Sequence, residues 1–174
     1  QNSSSISMSY VEGKMGDGLG NVVLEEIVAN FDEFKKDHDV VIIEGLVPTP
    51  RQPYSGRINR DVAQALSADI VLVASPGNDT AEEFEDRLEV SAETYGGIKN
   101  KHLIGCVINK LNCPDQEEYG LLPKEEEIES DFNLNQWLDL QIFKDRHFDL
   151  LGTIQWKIDL IAPRVCDISN YLEA

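Results

Sequence analysis

Asp39-Val40-Val41-Ile42-Ile43-Glu44-Gly45 and Asp69-Ile70-Val71-Leu72-Val73-Ala74-Ser75 share one pattern, a run of mostly β-branched apolar residues that ends in a polar residue. Continuous runs of this kind are typical of strands buried on both faces of a parallel sheet. Two later runs have the same character. We therefore predict a parallel sheet built from Val40–Ile43, Ile70–Ala74, Leu103–Ile108 and Leu151–Ile154.

Helical periodicity separates these runs, and the alternation predicts βαβ units with right-handed crossovers. Thr80 and Glu83 fit a capping box that starts one helix, which Gly96-Gly97 would end. We read the first dozen residues as a loop and Gly16–Gly20 as a flexible turn. The other predicted helices begin at residue 21, with an apolar face of Leu24, Ile27, Val28, Phe31 and Phe34, and cover residues 59–67, 134–145 and 162–172.

Length, net charge and cysteine content limit the kinds of protein that this sequence can encode. A length of 174 residues predicts a single α/β domain over residues 1–174, with an acidic insertion loop at 112–133. The net charge of -17 argues against nucleic acid and anionic membrane as partners, because both attract basic patches. Three scattered cysteines, Cys106, Cys113 and Cys166, are typical of free thiols in the reducing cytoplasm.

Polar residues follow each predicted strand. Because ligands of open α/β sheets bind beyond the carboxyl ends of the strands, we expect Glu44, Ser75, Asn109 and Trp156 at one rim. Glu44 could hold Mg²⁺, or could cap a helix or pair with Arg51, Arg57 or Arg60. Asn109 could read a base edge or close the turn after its strand, and Trp156 could be a core residue or a wall for a ligand ring. We assign no catalytic residue.

A family resemblance is carried by seven segments, in order and at the right spacing. They resemble the N-terminal domain of long-form bacterial phosphate acetyltransferase, which is itself similar to dethiobiotin synthetase and the P-loop NTPases. The acidic insertion is the weakest part of the match. The segments are residues 8–13, 24–31, 41–49, 68–73, 95–97, 105–112 and 156–164.

The resemblance implies a P-loop NTPase-like three-layer fold whose first strand and phosphate loop precede Gln1. It also implies a regulatory and assembly domain, inactive alone, in a transferase of acetate metabolism. The implied partners are a C-terminal acyltransferase domain, other copies of the chain and a small-metabolite effector; no cofactor is expected. Glu44, Asn109 and Trp156 would form a vestigial nucleotide or effector rim. We expect it to bind ATP weakly or not at all, because the phosphate-binding amides are missing and the net charge of -17 repels a polyanion. The alternative is a truncated ATP-dependent ligase similar to dethiobiotin synthetase.

Overall fold

The computed structural model describes residues 8–47, 54–113, 134–144 and 147–157. Contacts within the chain group it into two compact units, residues 1–69 and residues 70–174. Each unit is described by itself below. The single domain expected from the sequence stays a prediction. Three other expectations lie wholly or mostly outside the described residues: the acidic insertion at 112–133, the helix at 162–172 and the state of Cys166.

The first unit begins with a helix, α1, over Met8–Gly16. The sequence-based expectation of a loop through residue 12 was therefore wrong for its last residues. The sequence pattern of residues 8–16 did not predict this helix, because the contacts that stabilise it are distant along the chain. Val11 is buried, and the Tyr10 hydroxyl donates to the Glu26 carboxylate at 2.5 Å. The expected turn follows, with Gly18 at a left-handed φ of 74°.

Two further helices complete the described part of this unit. Helix α2 spans Gly20–Phe34, as its apolar periodicity predicted, although its most buried side chain is Val23. Helix α3 spans Ser55–Leu66 and begins a turn earlier than predicted. It ends at Ser67, which has the left-handed φ of 49° that often follows a helix.

Val40–Ile43 is not a strand, and this corrects the predicted four-stranded sheet. Val40 is 76% exposed and Ile42 is 91% exposed, so the apolar run is not buried as a central strand would be. A strand needs the backbone groups of a neighbouring strand to pair with. The described residues of the first unit contain no other strand that could supply them.

The second unit contains the sheet. Strands β1 (Ile70–Ala74), β2 (Leu103–Leu111) and β3 (Asp149–Gln155) form a parallel sheet in the order β1-β2-β3. The three remaining predicted strands and their parallel pairing are thereby confirmed, with β2 and β3 longer than predicted. The α/β class expected for a P-loop NTPase-like domain is also confirmed.

Helix α4 (Ala81–Glu93) connects β1 to β2 and begins as predicted. The Thr80 hydroxyl accepts from the Glu83 backbone N–H, and the Glu83 carboxylate accepts from the Thr80 N–H at 2.8 Å. These bonds, the backbone one first, lower the pKa of Glu83. The helix is followed by Gly96 and Gly97, both at positive φ, as the sequence indicated.

The predicted continuous helix at 134–145 is wrong. A short helix, α5 (Asn135–Leu138), is followed by a 3₁₀ turn at Gln141–Lys144. The break has a packing reason, because Trp137, Leu140 and Ile142 are all buried. One straight helix would spread these three positions over more than one face.

One hydrophobic core holds this unit together. It lies between α4, the covered face of the sheet and the segment after residue 134. The rings of Phe84 and Trp137 meet edge to face with their centroids 5.4 Å apart, and the ring of Phe143 stacks on that of Phe148 with centroids 5.9 Å apart.

In the described part of the chain, no helix is long and apolar enough to cross a membrane.

Gly105 lets β3 approach β2. A Cβ placed on Gly105 would lie 2.1 Å from the Asp149 carbonyl oxygen and 3.0 Å from the Leu151 Cγ. The pairing of β1 with β2 shifts register just before Gly105, and that of β2 with β3 shifts just after Cys106. Only a residue without a side chain fits between these two irregularities.

Replacing Gly105 with alanine should therefore separate β3 from β2. We expect Gly105→Ala to lower the free energy of unfolding by about 3 kcal/mol or more, because the new methyl group would clash with the backbone of Asp149 in β3. Chemical denaturation followed by circular dichroism measures the loss. Gly152→Ala is the matched control on β3, since no atom lies within 4 Å of a Cβ there. Equal losses in both variants would contradict this role for Gly105.

Candidate functional site

The carboxyl ends of the three strands meet at one edge of the second unit. Ala74 pairs with Ile108, and Leu111 pairs with Gln155, so the residues that follow these pairs lie at the same edge. The structure thus brings Ser75, Asn109 and Trp156 to one rim, as the sequence predicted. What this rim binds stays a prediction.

Asn109 supports the backbone at the rim. Its Oδ1 accepts a hydrogen bond from the Lys110 backbone N–H at 2.9 Å. Lys110 and Asn112 both have left-handed φ values, 54° and 59°, and the register shifts between Ile108 and Leu111. A bulge here lets Leu111 remain in the core while Lys110 is exposed. Of the two readings of Asn109, these contacts fit the residue that closes the turn, and base recognition stays untested.

Trp156 is buried at the end of β3. Its backbone N–H donates to the Leu111 carbonyl at 2.8 Å, which continues the pairing of β3 with β2 past Gln155. This placement is that of a residue at the edge of the core. A role as the wall of a ligand site is not tested by these contacts.

Arg87 is a rim residue that the sequence did not reveal. Its Nη2 donates to the Ser75 carbonyl at 2.7 Å, and its Nε donates to the Asp79 carboxylate at 2.9 Å. The guanidinium also lies over the Phe84 ring, 5.1 Å from its centroid. Arg87 thereby ties the loop after β1 to α4. The sequence carried no signal for these bonds, because Ser75 and Asp79 lie 12 and 8 residues before Arg87, outside its helix.

Cys106 lies under the rim, in the covered face of β2. Burial raises the pKa of its thiol to about 12, and the Ala74 backbone hydrogen bond and the charge of Arg87 only partly offset this effect. A thiol is nucleophilic as the thiolate. Cys106 is therefore a protonated core residue at neutral pH. It and Cys113 are free cysteines, as expected from the sequence.

Glu44 belongs to the first unit, where its side chain is exposed. Of the three arginines suggested as partners, Arg57 and Arg60 each pair with Asp61, at 3.5 and 3.1 Å, and Arg51 lies outside the described residues. Within the described ranges, no group of three or more His, Cys, Asp or Glu side chains could hold a metal ion. The Mg²⁺ role of Glu44 and its place on a shared rim stay predictions.

Asn59 of α3 holds the segment that follows Glu44. Its Oδ1 accepts from the Leu46 N–H, and its Nδ2 donates to the Leu46 carbonyl, both at 2.8 Å. A side-chain amide thus replaces the backbone partner that a strand would have used. A Cβ on Gly45 would meet this amide at 3.2 Å, so the glycine fits the close approach. The sequence offered no signal for this pair.

The resemblance implies only a vestigial nucleotide or effector rim, and the helix that follows β1 does not offer free amides to a phosphate. Phosphates are commonly held by free amides at the N-terminus of a helix that follows a strand. After β1, the N-terminus of α4 is instead capped by its own Thr80 and Glu83. The sequence also contains no Gly-x4-Gly-Lys-Ser/Thr. We assign no chemical step to a nucleotide.

Comparison with known protein families identifies the family of this chain. The family described as "AAA domain" matches residues 17–164, which is most of the sequence. The chain belongs to this AAA domain family. The parallel sheet with flanking helices agrees with that assignment.

The chain is also similar to phosphate acetyltransferases of several bacteria. It is 37% identical over 172 residues to phosphate acetyltransferase of Escherichia coli (strain K12), covering 97% of this chain and 24% of that protein. It is 38% identical over 170 residues to phosphate acetyltransferase of Haemophilus influenzae, with coverages of 96% and 24%. It is 34% identical to phosphate acetyltransferase of Pseudomonas aeruginosa, covering 97% of this chain and 23% of that protein. The chain spans about a quarter of the length of these relatives, and the resemblance found from the sequence is confirmed.

Removing the Asn59 amide should free the segment after Glu44. We expect Asn59→Ala to cost about 1–3 kcal/mol of local stability, because two partly buried backbone groups each lose a hydrogen bond. Hydrogen exchange at the Leu46 amide should speed up accordingly. Gln64→Ala, on an exposed position of the same helix, is the control. Unchanged exchange at Leu46 in the Asn59 variant would show that the amide does not hold this segment.

The Cys106 thiol should make the stability of this AAA domain fall at alkaline pH. The folded state keeps the proton up to a pKa of about 12, whereas the unfolded chain loses it near 9.0. The stabilisation is therefore complete below pH 9 and declines towards pH 12, by at most about 1.4 kcal/mol per pH unit. Urea denaturation from pH 8 to 11 should show a steeper decline for the wild type than for Cys106→Ala. Parallel curves would refute the expected burial effect.

Proposed function

We propose that this AAA domain is a regulatory and assembly part of a phosphate acetyltransferase and is not catalytic alone. One observation carries the proposal. The similarity to phosphate acetyltransferases runs through 97% of the chain, yet it accounts for only 24% of the E. coli relative. A segment of that size is a domain of a larger enzyme, and the larger remainder has room for the reaction itself.

The parent protein would interconvert acetyl-CoA plus phosphate and acetyl phosphate plus CoA, in the cytoplasm. The partners of this domain would be the C-terminal acyltransferase domain of the same polypeptide and other copies of the chain. A small-metabolite effector would bind at the rim that includes Asn109 and Trp156. The alternative, an ATP-dependent ligase, gains no support from the relatives described above.

The contacts at the rim support a non-catalytic part. Acyl transfer through a covalent intermediate needs a nucleophile beside a base that activates it. In the described part of the rim, Asn109 is bonded to backbone, and Arg87 is bonded to Asp79 and to the Ser75 carbonyl. The pKa of the nearby Cys106 thiol is raised to about 12, which keeps it unreactive. These side chains hold the fold in place.

The proposal is tested by activity with and without this domain. The full-length protein should form acetyl-CoA from acetyl phosphate and CoA, whereas residues 1–174 alone should show no turnover. Full-length protein lacking residues 1–174 should retain the reaction, with an altered dependence of rate on substrate concentration and a smaller assembly in sedimentation. Absorbance of the acetyl-CoA thioester follows the reaction.

Two outcomes separate the parts of this proposal. Robust turnover by residues 1–174 would refute the non-catalytic assignment. Identical kinetics and sedimentation of the full-length and shortened proteins would refute the regulatory and assembly role. A full-length protein with no turnover would place the parent in another reaction class.

A further inference from the structure

Residues 134–144, which we call the strap, pack on the core of the second unit without belonging to its sheet. The strap consists of α5 and the 3₁₀ turn, each four residues long. Its backbone hydrogen bonds include local ones, such as that from the Asp139 N–H to the Asn135 carbonyl at 3.0 Å. Local bonds of this kind fix the shape of the strap but not its position. Its position depends on contacts with the rest of the unit.

Two neighbouring side chains of α4 contact the strap. The ring of Phe84 meets that of Trp137 edge to face, with their centroids 5.4 Å apart. The Glu85 carboxylate accepts a hydrogen bond from the Ile142 backbone N–H at 2.5 Å, across 57 positions of the chain. A hydrogen bond to an ionised acceptor is about twice as strong as a neutral one. Glu85 is therefore a catch that holds the buried Ile142 against α4.

The closed strap also carries a cost. The Trp137 indole N–H is buried, and in the described part of the chain nothing accepts a hydrogen bond from it. A buried donor without an acceptor gives up the hydrogen bond that water would otherwise provide. Opening of the strap would restore that bond, so the Glu85 catch acts against a tendency to open.

Phe84 joins the strap to the other end of α4's contacts, at the rim. The Arg87 guanidinium lies over the same ring, 5.1 Å from its centroid. From there Arg87 donates to the Ser75 carbonyl at 2.7 Å and to the Asp79 carboxylate at 2.9 Å. These two partners begin and end residues 75–79, which we call the rim loop. One aromatic ring thus contacts both Trp137 of the strap and the arginine that holds the rim loop.

We propose that the strap and the rim loop are coupled through Phe84, so that loosening either one loosens the other. When the strap opens, the Phe84 ring loses its Trp137 neighbour and becomes free to move away from the guanidinium. Arg87 then loses a surface that orients it towards the rim loop. Coupling between two sites is reciprocal, so release of Arg87 also weakens the strap. The inference uses contacts inside the second unit and does not rest on the proposed function.

Hydrogen exchange of the full-length protein, read by mass spectrometry, tests the coupling. Glu85→Met removes the acceptor and keeps the length of the side chain. It should speed exchange at the Ile142 amide by about tenfold. It should also speed exchange at the Asp79 amide, which donates to the Pro76 carbonyl at 3.2 Å, by about threefold. Exchange in β2 should stay unchanged, because the sheet remains folded.

The reverse experiment starts at the rim. Arg87→Met should speed exchange at the Asp79 amide directly, and at the Ile142 amide by about threefold through Phe84. Glu89→Met is the matched control, an exposed carboxylate one turn beyond Glu85 on the same helix, and should change neither rate. Effects confined to the segment that carries each substitution would overturn the coupling. Equal acceleration in β2 would also overturn it, because the variants would then act by global unfolding.

A third substitution tests the role of the ring itself. In a Phe84→Leu background, the factor by which Glu85→Met speeds exchange at the Asp79 amide should fall to about one. The same threefold factor in that background would show that the coupling does not pass through Phe84. Phe84 is fully buried, so this variant could unfold the domain; the two experiments with Glu85 and Arg87 then still decide whether the strap and the rim loop are coupled.

Discussion

The pairing of β2 with a neighbour on each side is the constraint on which the second unit depends. Leu103–Leu111 is the only described strand with hydrogen-bonded partners at both edges, and both ladders are irregular near Gly105. The absent side chain at Gly105 allows the Asp149 backbone to come close. Cys106 and Ile108 of the same strand lie in the core. A change in this one contact would displace a strand and part of the core together.

The same central strand shapes the rim. Its bulge before Leu111 requires left-handed backbone at Lys110 and Asn112, and Asn109 compensates by accepting the Lys110 N–H. Trp156 and Arg87 hold the neighbouring strand ends through backbone carbonyls. Polar side chains at this edge are thus largely used to keep the strand ends in register.

Local signals predicted the elements whose stabilising contacts are local. The capping box of α4 involves residues three apart, and its glycine end involves two adjacent residues, so both could be read directly. The apolar runs of β1, β2 and β3 were recognised for the same reason. The run Val40–Ile43 has an equal propensity, but it lacks a partner strand in the described part of its unit. Propensity describes what a segment can do when a neighbour is present.

The sequence by itself determined the parallel α/β class, the positions of three strands and of α2 and α4, and the meeting of Ser75, Asn109 and Trp156 at one edge. It also carried the similarity to phosphate acetyltransferases. Only the tertiary structure decided that Asn59 binds Leu46 and that Arg87 joins Ser75 to Asp79. Periodicity and capping depend on residues a few positions apart, whereas these contacts join residues whose distance along the chain carries no pattern.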